Sequence, residues 1–193
     1  MRVRHDDPAR PVRLAPGQAD IWAFVLFECL VFTSYFGVYM ACRIRHPQLY
    51  LQSRALLDVR MGALNTIVLL LSSWSMARCL EAARSGDDRR ALHNLVATAG
   101  FGSAFLVMKV VEWVEKAQEG IGLATDEFFA FYYFLTGIHF VHLLIGLVGL
   151  GVIGYQLAGP APRSLAVVET GATYWHTVDL LWIAIFSFVY LLR

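Results

Sequence analysis

Apolar positions along the chain gather into five long blocks separated by short polar stretches. A helix that crosses a bilayer takes about 20 mainly apolar residues. The blocks predict five such helices, at about 20–42, 61–81, 91–114, 128–155 and 172–192. The connections read "RIRHPQLYLQSRALLDVR", "EAARSGDDRR", "EKAQEGIGLATDE" and "AGPAPRSLAVVE". None of them is long or apolar enough for a second domain. The expectation is an all-α fold, a polytopic membrane helix bundle of five transmembrane helices over 20–193 behind a polar, Arg-rich segment 1–19.

Composition agrees with that pattern. Apolar residues make up 58% and charged residues 16%, against about a quarter charged in a soluble domain. A net charge of +1 gives no basis for binding nucleic acid. Cys29, Cys42 and Cys79 form no CxxC or CxxCH and read as free thiols. The first apolar block exceeds the roughly 7–15 residues of a signal-peptide core, so it is expected to stay as an anchor. With Lys109 set aside, nine Lys and Arg fall on one side and six on the other. The bias predicts a cell-membrane (inner-membrane) protein with a cytoplasmic N-terminus and an external C-terminus.

Ionisable groups inside the blocks change the picture, because each costs roughly 2.5–3.5 kcal/mol to insert. They are Glu28, Lys109, Glu112, His139, His142, His176 and Asp179. At about 1.5 Å rise per residue, Glu28, His142, His176 and Asp179 are expected to share one layer in the cytoplasmic half. His176 and Asp179 are expected about 6–10 Å from that surface on the same rise. Lys109 and Glu112, three apart, are expected to pair at the outer end of their helix. The layer reads either as interhelical glue or as a proton-handling or lipid-headgroup site.

Metal ligation is disfavoured by the residues themselves. "HFVH" occurs once, with no Glu-x-x-His partner of the kind that di-iron bundles use. His5, His46 and His93 lie in or beside polar segments, which leaves three histidines for the membrane, too few for a binuclear haem–copper centre. The chain is therefore expected to carry no cofactor of its own. Gly146 and Gly149, with Gly151 and Gly154, predict close helix approach. Asn65 and Thr66 predict hydrogen bonds toward a neighbouring helix, and the five tryptophans mostly suggest membrane-interface belts.

The motifs carry a resemblance. "YWHTVDLLW" resembles the YWHFVDVVW signature of the cytochrome c oxidase subunit III family, and "FLTGIHFVHLLIG" resembles its ATGFHGLHVxxG stretch. "LFECLVF" looks like the helix that carries the family's carbodiimide-reactive glutamate, at Glu28 here. "LNTIVLLLSS" and "KVVEWVE" are similar to two further family segments, the second placing its glutamate at Glu112. Thr173 and Thr177 depart from the family's usual tryptophan and phenylalanine. The resemblance implies a metal-free subunit that contacts a haem–copper catalytic subunit I and other oxidase subunits. It also implies bound phospholipid, with haem and copper in the partners, and support of proton uptake or oxygen access. His176 and Asp179 would then belong to a cytoplasmic-side polar cluster. Longer family members often have seven helices, so the family's complete lipid cleft is not assumed for the five expected here. The short form is most like the branch associated with nitric oxide reductase, which makes an accessory subunit of that enzyme the second reading. From other classes, a small proton-coupled carrier would use Glu28 and Asp179, and a haem b cytochrome His142 and His176.

Overall fold

In the computed structural model, residues 19–159 and 164–192 are described, and the expected polar segment up to residue 18 lies outside them. The elements are α1 (Ala19–Arg45), α2 (Pro47–Ala55), α3 (Val59–Ser85), α4 (Asp88–Gln118), α5 (Glu127–Ala158) and α6 (Leu165–Phe186), continued by a π-helical turn, Ser187–Leu191. All but α2 are long and apolar enough to span a membrane, α6 together with its π turn. Five spans match the expectation.

Two boundaries differ from the sequence reading. The first connection contains α2, started by Pro47 at its first turn and held by buried Tyr50 and Ser53. Proline is pre-organised for that position. Tyr50 packs edge-on against Tyr39 and Phe128, and burial holds its phenol well above the ordinary tyrosine value. Helix α6 begins seven residues earlier than expected, at Leu165 rather than 172. The polarity of Glu169 masked that first turn, and Arg84 Nη2 at 2.9 Å pairs with the carboxylate.

Chain reversals follow local chemistry. Gly86, at φ 87°, closes α3 in the left-handed region that favours glycine. Asp87 and Asp126 then accept from Arg90 N and Phe129 N at the starts of α4 and α5, satisfying amides that have no intrahelical partner. Asp126 also accepts from Ser53 Oγ, tying α2 to α5.

The core lies among α3, α4, α5 and α6, with α6 the most buried span and α1 the least. Trp175 and Trp182 are 1% and 0% exposed, packed inside the bundle and not on its surface. Trp175 Nε1 donates to Ser72 Oγ at 3.1 Å, and Ser72 Oγ donates to Thr98 O at 2.9 Å, joining three helices. A Cβ added at Gly102 or Gly146 would meet the Trp175 ring at 2.8 or 2.9 Å. Gly149 and Gly151 differ from expectation: a Cβ there would meet nothing within 4 Å. Along α5 the tightest approach is at Gly146, where the indole enters.

Gly102→Ala and Gly146→Ala should therefore each lower stability by about 1–3 kcal/mol through overpacking. Gly149→Ala should stay within about 0.5 kcal/mol. Thermal unfolding of the detergent-solubilised protein checks this, and equal effects at all three positions would contradict it.

Candidate functional site

Helix α1 turns Glu28, Phe32, Phe36 and Tyr39 inward along one stripe. Its Glu28 Oε1 lies 3.3 Å from His142 Nε2 on α5. His142 Nδ1 is 2.8 Å from Ile138 O, which can only accept, so Nδ1 carries a hydrogen. Nε2 therefore faces the carboxylate, and a proton on either group would let the two hydrogen-bond. Tyr174 OH donates to His142 O at 3.0 Å, and its ring stacks on Phe24 with centroids 5.6 Å apart.

His176 does not join that pair. Its Nδ1 lies 2.7 Å from Ser73 Oγ on α3. Asp179, 4% exposed, faces the same Ser73, yet neither carboxyl oxygen has a hydrogen-bond partner among the described residues. The early start of α6 puts His176 and Asp179 roughly 16 and 21 Å along the helix at 1.5 Å per residue, deeper than expected. The expected single layer is two partnerships, α1 with α5 and α6 with α3.

Lys109 and Glu112 do pair, at 3.0 Å, but in the bundle interior with side chains 1% and 3% exposed. Lys109 also donates to Tyr190 OH at 2.6 Å. Tyr132 OH donates to Glu112 Oε1 at 2.8 Å, and Tyr190 OH donates to the same oxygen. The ammonium lies 4.8 Å from the Tyr132 ring centroid and 5.2 Å from those of Trp182 and Tyr190. Negative ring faces supplement the carboxylate in holding the cation. Helix α4 supplies the two charges, α5 and the π turn supply the two phenols. The expected site at a helix end is instead a closed internal cluster.

Two expected polar residues stand apart. His139 is fully buried between Phe105 and Trp182, with neither ring nitrogen hydrogen-bonded within the described chain. Asn65 is fully buried with both amide atoms unpartnered, whereas its neighbour Thr66 accepts from Trp182 Nε1 at 3.1 Å. Sequence reasoning missed Ser73, Tyr132, Tyr174 and Tyr190. Tyrosine at interior positions of apolar helices was the available signal, since a buried phenol needs a partner. Among the described residues, no three of His, Cys, Asp and Glu converge as a metal site.

Architecture and site together define a polytopic helical membrane protein whose ionisable side chains face one another inside the bundle. The cytochrome c oxidase subunit III family model matches residues 17–193, and the chain belongs to that family. The chain is 30% identical to the cytochrome bo(3) ubiquinol oxidase subunit 3 of Buchnera aphidicola subsp. Acyrthosiphon pisum (strain APS), over 89% of this chain and 84% of that protein. It is 28% identical to the quinol oxidase subunit 3 of Bacillus subtilis (strain 168), with the same coverage. The cytochrome c oxidase subunit 3 of Synechocystis sp. is 30% identical over 88% of this chain and 72% of that protein. Membership makes the chain an accessory subunit of a respiratory oxidase, associated with other oxidase subunits. The nitric-oxide-reductase and carrier readings are not favoured.

Lys109→Met should leave Glu112 buried beside two phenols without its cation and cost about 3–5 kcal/mol. The double variant Lys109→Met/Glu112→Leu should recover more than half of that loss. Thermal unfolding of the three proteins measures the recovery, and its absence would show that the pair does not act as a unit.

Proposed function

We propose that this chain is a non-catalytic, metal-free subunit III that docks on the haem-containing catalytic subunit I. In this role it binds phospholipid and supports proton uptake or oxygen access by its partner. The observation that carries this reading is the direction of the ionisable groups. Glu28 meets His142, Lys109 meets Glu112 and His176 meets Ser73, all inside the chain. Helix α1 meanwhile exposes Leu26, Phe27 and Leu30. Such a surface suits lipid and another subunit's helices. Haem and copper would belong to the partners. Gly149, Val152, Val167 and Gly171 line an apolar groove between α5 and α6, shaped for an acyl chain. The N-terminus would lie in the cytoplasm, as the Lys and Arg bias favours.

Glu28 is the residue most suited to proton traffic, because its carboxyl faces a second titratable group, His142 Nε2, at 3.3 Å. Glu112 is already engaged by Lys109 and two phenols. A hydrophobic carbodiimide should therefore label Glu28 ahead of Glu112. Glu28→Gln should still assemble. Glu28→Lys should not, since it sets an ammonium against the His142 ring. Mass spectrometry after labelling decides the first point, and modification of Glu112 alone would reverse the assignment.

Purification of the tagged chain from native membranes in mild detergent tests the whole reading. A twelve-helix haem protein should accompany it, while the chain isolated from that partner should show no Soret band. A haem-free monomer from native membranes, or haem retained by the isolated chain, would overturn it.

A further inference from the structure

Three side chains in the middle of the bundle have polar atoms with no hydrogen bond to any described residue. They are Asn65 at Oδ1 and Nδ2, His139 at Nδ1 and Nε2, and Asp179 at both carboxyl oxygens. Exposure is 0% for Asn65 and His139 and 4% for Asp179, so bulk solvent does not satisfy them. They come from α3, α5 and α6, the helices that meet at Trp182. Asn65 adjoins Thr66, the hydrogen-bond acceptor for Trp182 Nε1. The His139 ring centroid is 5.2 Å from that of Trp182. Asp179 lies three residues before Trp182, on the same face of α6.

We propose that Asn65, His139 and Asp179 hold ordered internal water around Trp182. Buried side-chain polar atoms in native proteins are nearly always hydrogen-bonded, to protein or to ordered water. A buried water takes about two to four such partners. The three residues offer a complementary set. The amide donates and accepts, neutral imidazole has one donor and one acceptor nitrogen, and the carboxyl group accepts. In a membrane span no other small polar molecule is as abundant. The site is separate from the Glu28–His142 pair and does not depend on the subunit III reading.

Radiolytic footprinting of the intact purified complex in H2(18)O tests this, because hydroxyl radicals made from bound water label the side chains beside it. Phe128 and Phe129, each 0% exposed, are dry controls of equal burial. After correction for intrinsic reactivity, Trp182 should take up about threefold or more of the controls' 18O, as expected beside a held water. Uptake equal to the controls would overturn the proposal. Asn65→Leu in an assembled complex should lower the Trp182 label, and an unchanged label would equally overturn it. If Asn65→Leu does not assemble, the wild-type ratio decides alone.

Discussion

A lysine and a carboxylate in the middle of an apolar bundle constrain everything packed around them. Neither Lys109 nor Glu112 reaches water, and a charge in that position persists only if its partners are fixed in place. The carboxylate needs more than the ammonium, so Tyr132 and Tyr190 bring their hydroxyls to Glu112 Oε1. Bringing Tyr190 inward shapes the chain after Phe186. The turn widens from α to π geometry, with Leu192 N bonding Ser187 O at 3.0 Å. Isolated π turns of this kind occur frequently at functional sites. The same demand reaches α3, where a Cβ on Gly62 would meet Phe186 and Tyr190 at 2.9 Å.

The π turn in turn holds the periphery. Tyr39 OH donates to Phe188 O at 3.1 Å, and Arg54 Nε donates to Tyr190 O at 2.9 Å. Phe36 of α1 stacks on Phe188 with centroids 4.5 Å apart. The least buried span and the short α2 are thus anchored to the turn that the ion pair organises. Further along α1 the restraint is the Glu28–His142 contact.

Helix number, the Lys109–Glu112 pairing and the family were legible because period, spacing and motif are local properties. "YWHTVDLLW" marked α6 as distinctive, and its two tryptophans and Asp179 do line the core. Boundaries were less legible where a charge has a distant partner. Glu169 looked like a connection residue because Arg84, 85 positions away, is invisible to a window of apolar residues. The grouping of the polar residues failed for a related reason. Depth along a helix can be counted from sequence, but the direction in which a side chain points depends on helix rotation. Glu28 and His176 therefore took different partners. Gly149 misled in the same way, since glycine spacing alone does not show which face receives an indole.

The two polar systems divide the work of this accessory subunit. Lys109, Glu112, Tyr132 and Tyr190 have each other as partners and fix three segments, so changing them acts first on the fold. Glu28 and His142 have one contact between them, on side chains 11% and 14% exposed. That contact joins the most loosely held span to the bundle. Whatever covers the outward face of α1 bears on the geometry of that contact. An exposed apolar face and the carboxylate that meets His142 thus lie on one helix. An accessory subunit can influence its neighbour in this way while its own interior stays fixed by a remote ion pair.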